Sequence, residues 1–166
     1  MISLELLETI EVWIVGFHSK YSKLNGKMRY VGGFIKKSSL DTIYILDQPN
    51  LSIDEIKMRI VHELAHTIDG LDYIYSNHPD FIKAYNADKH RLDEISILDE
   101  EDRYISEYSA YFTPKAIAGV FGKDRPYSED FAECLIEYFK DPDFLFWKFP
   151  EKAKYINNIF HKYDIN

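Results

Sequence analysis

Cysteine is almost absent from this chain of 166 residues, which carries one, Cys134. A lone thiol cannot close an internal disulfide, so nothing points to an oxidising compartment and stability must come from the core. Basic residues are short relative to acidic ones, 20 Lys and Arg against 28 Asp and Glu, for a formal net charge of −8. Sequence-independent binding to phosphate backbones needs clustered Lys and Arg, so no nucleic acid partner is expected. Long apolar runs are missing too. The longest, 12–17, falls far short of the roughly 20 residues of a membrane-spanning helix, and no membrane insertion is expected. Residues 1–16 hold three glutamates and no Lys or Arg, so the basic start of a secretory signal is lacking. The expected compartment is the cytoplasm, or a site outside it reached by a route that needs no leader.

What is present is apolar and aromatic. Hydrophobic residues make up 46% of the chain, with 13 Tyr and 11 Phe, enough for a rich core, and the tyrosines also suit a peptide-binding cleft. No repeat, low-complexity tract or Pro/Gly-rich linker divides the sequence, so 1–166 reads as a single domain with two halves, 1–70 and 71–166. The first half offers β-rich runs at 9–17, 29–36 and 42–47, read as a small mixed sheet. Ser52, with Glu55 three positions on, opens a helix through about Asp69, and Gly70 ends it. Helical periodicity then dominates at 80–95, 104–112, 129–140 and 150–163, with a long loop or lid at 113–127. The fold class is α+β: a sheet and one central helix, followed by a helical half.

That central helix carries His62-Glu63-Leu64-Ala65-His66. Positions i and i+4 share a helix face, so both imidazoles can aim at one point. Zn2+ suits that point, since it takes nitrogen, oxygen or sulfur ligands tetrahedrally and a catalytic site keeps its fourth position for water. Glu63 is placed to reach that water without ligating the metal, the geometry of a general base. Met58, Ile60, Val61, Leu64, Ala65 and Ile68 supply apolar flanks, and two histidines within them want a partner that a metal provides. The plain alternative is an amphipathic helix with ordinary histidines.

A third ligand is needed. Glu129 and Glu133 sit one helical turn apart in Ser128-Glu129-Asp130-Phe131-Ala132-Glu133. One carboxylate can bind the metal while the other orients a ligating histidine. Glu129 is assigned to the metal. Asp72, six residues after His66, is the rival, although the pattern that uses such a ligand wants glycine at 69, and here 69 is Asp and the glycine is at 70. Asp69 is read as a supporting residue. A solvated acidic first turn, favoured by the helix dipole, is the bland reading of Glu129 and Glu133.

Together, the segment from Val61 to Asp69 and Glu129-Asp130-Phe131-Ala132-Glu133 resemble the catalytic domain of anthrax lethal factor and the Pro-Pro endopeptidases. Weaker similarity joins the two through 76–89, so the resemblance covers about residues 40–140. It implies a zincin-like fold and a gluzincin site, in which two helical histidines and a downstream glutamate hold zinc. It further implies a tyrosine seven residues before the third ligand, serving the oxyanion. Position 122 is Gly here. Tyr108, in a segment that looks like the family's tyrosine segment displaced by an insertion, takes the role, with Tyr111 and Tyr127 as rivals.

The expected activity is zinc-dependent hydrolysis of peptide bonds, with the substrate extended along an exposed sheet edge near 42–47. Two other readings stand beside it: an intracellular His-Glu-x-x-His peptidase that cleaves repressors, and a zinc-stabilised binding module without turnover.

Overall fold

The structure is a computed structural model that describes residues 11–15, 21–24, 27–30, 33–36, 39–46, 51–71, 74–95, 103–106, 109 and 127–161. Helix predominates among them, and the strands all precede residue 47. Two compact units divide the chain, Ile2–Asp72 and Tyr73–Asn166.

In the first unit, β1 (Glu11–Val15), β4 (Gly33–Lys36) and β5 (Ser39–Leu46) form a three-stranded sheet in the order β1-β5-β4. β1 runs parallel to β5, with Glu11 opposite Thr42 and Val15 opposite Leu46. β4 runs antiparallel to β5, and its register shifts between Ile35 and Lys36. Ile43 and Ile45 alternate onto one face and are fully buried, as the period of two requires. β2 (Tyr21–Leu24) and β3 (Lys27–Tyr30) pair separately as an antiparallel ribbon. The run expected at 29–36 is therefore two strands in two sheets. β5 lies between β1 and β4, so it offers no free edge near 42–47, and the expected substrate edge there is corrected. The eight-residue β5 is long enough to be the shared centre that both shorter strands join.

Helix α1 (Ile53–Leu71) packs against β5 and β4. Its start is fixed by a reciprocal capping box: the Ser52 N–H donates to Glu55 Oε2 at 2.8 Å, and the Glu55 N–H donates to Ser52 Oγ at 3.2 Å. Such a cap satisfies two helix-end donors that would otherwise need water. The Glu55 side chain also accepts from the Ser52 hydroxyl at 2.7 Å. The hydrogen bonds from Ser52, backbone first, hold the Glu55 pKa below its ordinary 4.5. The helix runs through Gly70 to Leu71 rather than stopping at Gly70.

The second unit is helical: α2 (Pro79–Asp93), α3 (Ser128–Lys140), α4 (Pro142–Lys148) and α5 (Pro150–His161). α5 packs against each of the other three. Pro79 occupies the first turn of α2, and the His78 side chain accepts the Asp80 N–H at 3.2 Å. Phe81, Phe131, Leu135, Leu145, Phe149 and Ile156 are almost fully buried, and each stabilises by about 1.5–3 kcal/mol relative to an exposed position. The Phe81 and Phe131 rings meet edge to face at 5.4 Å, a favoured aromatic arrangement. The helix expected from 104 is corrected at its start, because residues 104–106 bend and the backbone is helical at Ser109. Ser106 and Ser109 exchange hydrogen bonds, each backbone N–H to the other's Oγ at 3.1 Å. No helix of the described residues is long and apolar enough to cross a membrane.

Candidate metal centre

The third and fourth turns of α1 bring His62 and His66 together. Their Nε2 atoms lie 3.1 Å apart, and the rings meet edge to face at 82° with centroids 4.8 Å apart. Two imidazole lone pairs cannot face each other at that distance unless a proton or a cation lies between them. Both rings are half-buried. Beside them Glu63 is buried, and the Thr67 hydroxyl donates to the Glu63 carbonyl at 3.3 Å. Ala65 and Ile68 are buried as expected, whereas Met58, Ile60, Val61 and Leu64 are half-buried.

One ligand atom each from His62, His66 and Glu129 lies within 4.8 Å of the others. The donor set, two imidazole nitrogens and a carboxylate oxygen, is one that catalytic zinc uses. With zinc–nitrogen bonds of about 2.0–2.1 Å, a tetrahedral edge spans roughly 3.3 Å, close to the 3.1 Å between the two Nε2 atoms. The three residues therefore fit the ion in type and number.

The other expected site residues fall as follows. Glu133, half-buried on the same face of α3 as Glu129, accepts the Ser106 hydroxyl at 2.6 Å. Asp69 is fully buried in the last turns of α1 and is not one of the three grouped ligands. Tyr127 sits at the N-terminal boundary of α3, where its carbonyl accepts the Phe131 N–H at 2.9 Å and its side chain makes no capping bond, its ring edge-on to Tyr85 at 5.1 Å. Asp72, Tyr108 and Tyr111 lie outside the described residues.

Behind Glu129 is a set of buried groups that the sequence reading passed over. Lys152 donates from Nζ to the two oxygens of Asp130 at 3.2 and 3.1 Å, and both side chains are 3% exposed. Burial works against the ammonium, but Asp130 outweighs it and holds the Lys152 pKa above its ordinary value. Asp88, 1% exposed, accepts the N–H groups of Glu151 and Lys152 at 3.2 and 2.9 Å, while burial pushes its own pKa up. Burial likewise raises the Cys134 thiol, which leaves it protonated and inert. The signal was faint but present: Lys152 falls on the stripe of α5 that buries Ala153, Ile156 and Ile159.

Compared with known proteins, the chain matches no family model, no curated protein and no solved structure.

Proposed function

We propose that the chain is a zinc-dependent endopeptidase with a gluzincin site, built on a zincin-like plan similar to that of lethal factor's catalytic domain and the Pro-Pro endopeptidases. The observation that carries the reading is the grouping of His62, His66 and Glu129 ligand atoms around a helix whose next residue after the first histidine is a buried glutamate. His62, His66 and Glu129 hold the ion. Zinc in such a site lowers the pKa of water and polarises a carbonyl. Glu63 takes a proton from the attacking water and delivers it to the departing amine. Its burial keeps bulk water from competing for that proton. A tyrosine, Tyr108 in this reading, hydrogen-bonds the oxygen that becomes negative as the carbonyl carbon turns tetrahedral.

An extended substrate would pair with the sheet along β4. That strand pairs with β5 on one side only among the described residues, and α1 packs against it. Main-chain hydrogen bonds supply affinity there and alternate side chains supply selectivity.

The test is cleavage of a peptide library, with fragments read by mass spectrometry, before and after chelation and after zinc is restored. Cleavage that disappears with chelator and returns with zinc supports the proposal. A protein that binds zinc stoichiometrically and cuts nothing is a binding module instead. One that binds no zinc overturns both readings.

A further inference from the structure

Asp130 follows Glu129 directly, and consecutive residues leave an α-helix about 100° apart. The two carboxylates of α3 therefore serve different neighbours. Glu129 shares a face with Glu133. Asp130 shares one with Cys134, whose Sγ lies 3.8 Å from Asp130 Oδ2. Against the Asp130 face, Lys152 engages both carboxylate oxygens, and its Nζ lies 4.3 Å from the Phe149 ring centroid and 5.2 Å from that of Tyr85. Lys152 is anchored in turn, because Asp88 of α2 accepts the first N–H groups of α5.

Apolar contacts are non-directional, so they set the rotation of a helix about its axis only loosely. A buried ion pair is directional. Turning α3 away from Lys152 would leave two buried charges unmatched, and that penalty confines the rotation.

We infer that Lys152 is a positioning residue for the metal ligand Glu129: by locking Asp130 it fixes the rotation of α3, and with it the direction in which Glu129 leaves the helix. The inference rests on the zinc site proposed above. It makes no use of Lys152 as a group that touches substrate or metal.

The test neutralises both partners, Asp130→Asn with Lys152→Met, so that neither member of the pair is left charged without the other, while Asp88 keeps the two backbone N–H groups it accepts. Zinc affinity is measured by competition with a chromophoric chelator, the Co2+ form by its visible spectrum, and folding by thermal melting. The expected result is a cooperative melt with zinc affinity weakened about 10- to 100-fold, the range for residues that orient a ligand, and an altered cobalt spectrum. Adding Glu129→Ala to this pair should cost less affinity than it does in the wild type, because both changes act through one ligand. A folded pair variant with wild-type affinity and spectrum, or losses that simply add, overturns the inference. Should the pair variant be unfolded at the assay temperature, Asp130→Glu carries the test, since it keeps both charges and shifts the carboxylate by one methylene. Weakened affinity is again expected, and wild-type affinity overturns. A wild-type protein that takes up neither metal sinks the zinc reading and this inference together. A wild type that binds beside a variant that binds equally well sinks this inference alone.

Discussion

At the scale of single residues, the proposed reading separates the site into groups that would hold an ion and a group that would move a proton. Glu63→Gln keeps the size of the side chain and removes its basicity. Hydrolysis is expected to fall by about 10²- to 10⁴-fold, the usual worth of a general base, with zinc affinity unchanged in a chelator competition. Glu129→Ala removes a donor outright, and its loss of zinc affinity should exceed the roughly 10- to 100-fold worth of residues that only orient ligands. Asp72→Asn, measured the same way, should leave affinity intact; the opposite ranking would exchange their roles. Tyr108→Phe should lower kcat by about 10²- to 10³-fold with zinc retained, as expected for one lost oxyanion donor, while the same change at Tyr111 or Tyr127 has little effect. The nearness of His62 and His66 was legible because one helical turn sets their relation. Glu129 was readable only through its own one-turn partnership with Glu133 in a second helix. For the tyrosine no local rule was at hand, since none ties a phenol to an oxyanion at a distance in sequence.

Elements were legible where their ends carry chemistry. The Ser52–Glu55 box opens α1 at the expected residue, and Ser52→Ala should lower stability by about 1 kcal/mol in thermal or denaturant melts. Glu55 has a lower pKa in the folded chain than its ordinary 4.5. Its contribution is therefore present above pH 4.5 and lost as pH falls through the folded value. The melting-temperature gap between wild type and Glu55→Gln should be constant near neutrality and close on the acid side of that value. Two signals of the same kind went unread. Asn25-Gly26 stands between the paired residues Leu24 and Lys27, and that dipeptide is the strongest short-range mark of a hairpin. Asp141-Pro142 opens α4, where the Asp141 side chain accepts the Phe144 N–H at 2.9 Å. The central place of β5 had no local mark, because strand order is decided by which partners a strand finds.

For the molecule as a whole, the division into a sheet-bearing unit and a helical unit follows the change in hydrophobic period near the middle of the sequence. The buried charges of the helical unit escaped notice because a lysine is ordinarily assigned to solvent, and only its distant partners make it tolerable inside. Lys152→Met alone should therefore cost about 3–5 kcal/mol of unfolding free energy, the usual result of stranding one member of a buried pair. Adding Asp130→Asn should recover much of it, and a double variant no more stable than the single one would refute the pairing as the cause. The two carboxylates at the start of α3 also leave that helix without a spare register. An alanine inserted between Asp130 and Phe131 would turn the first pair of acids by about 100° against everything that follows. Any ion affinity of the proposed site and the thermal stability should then fall together, although every original side chain would still be in the chain.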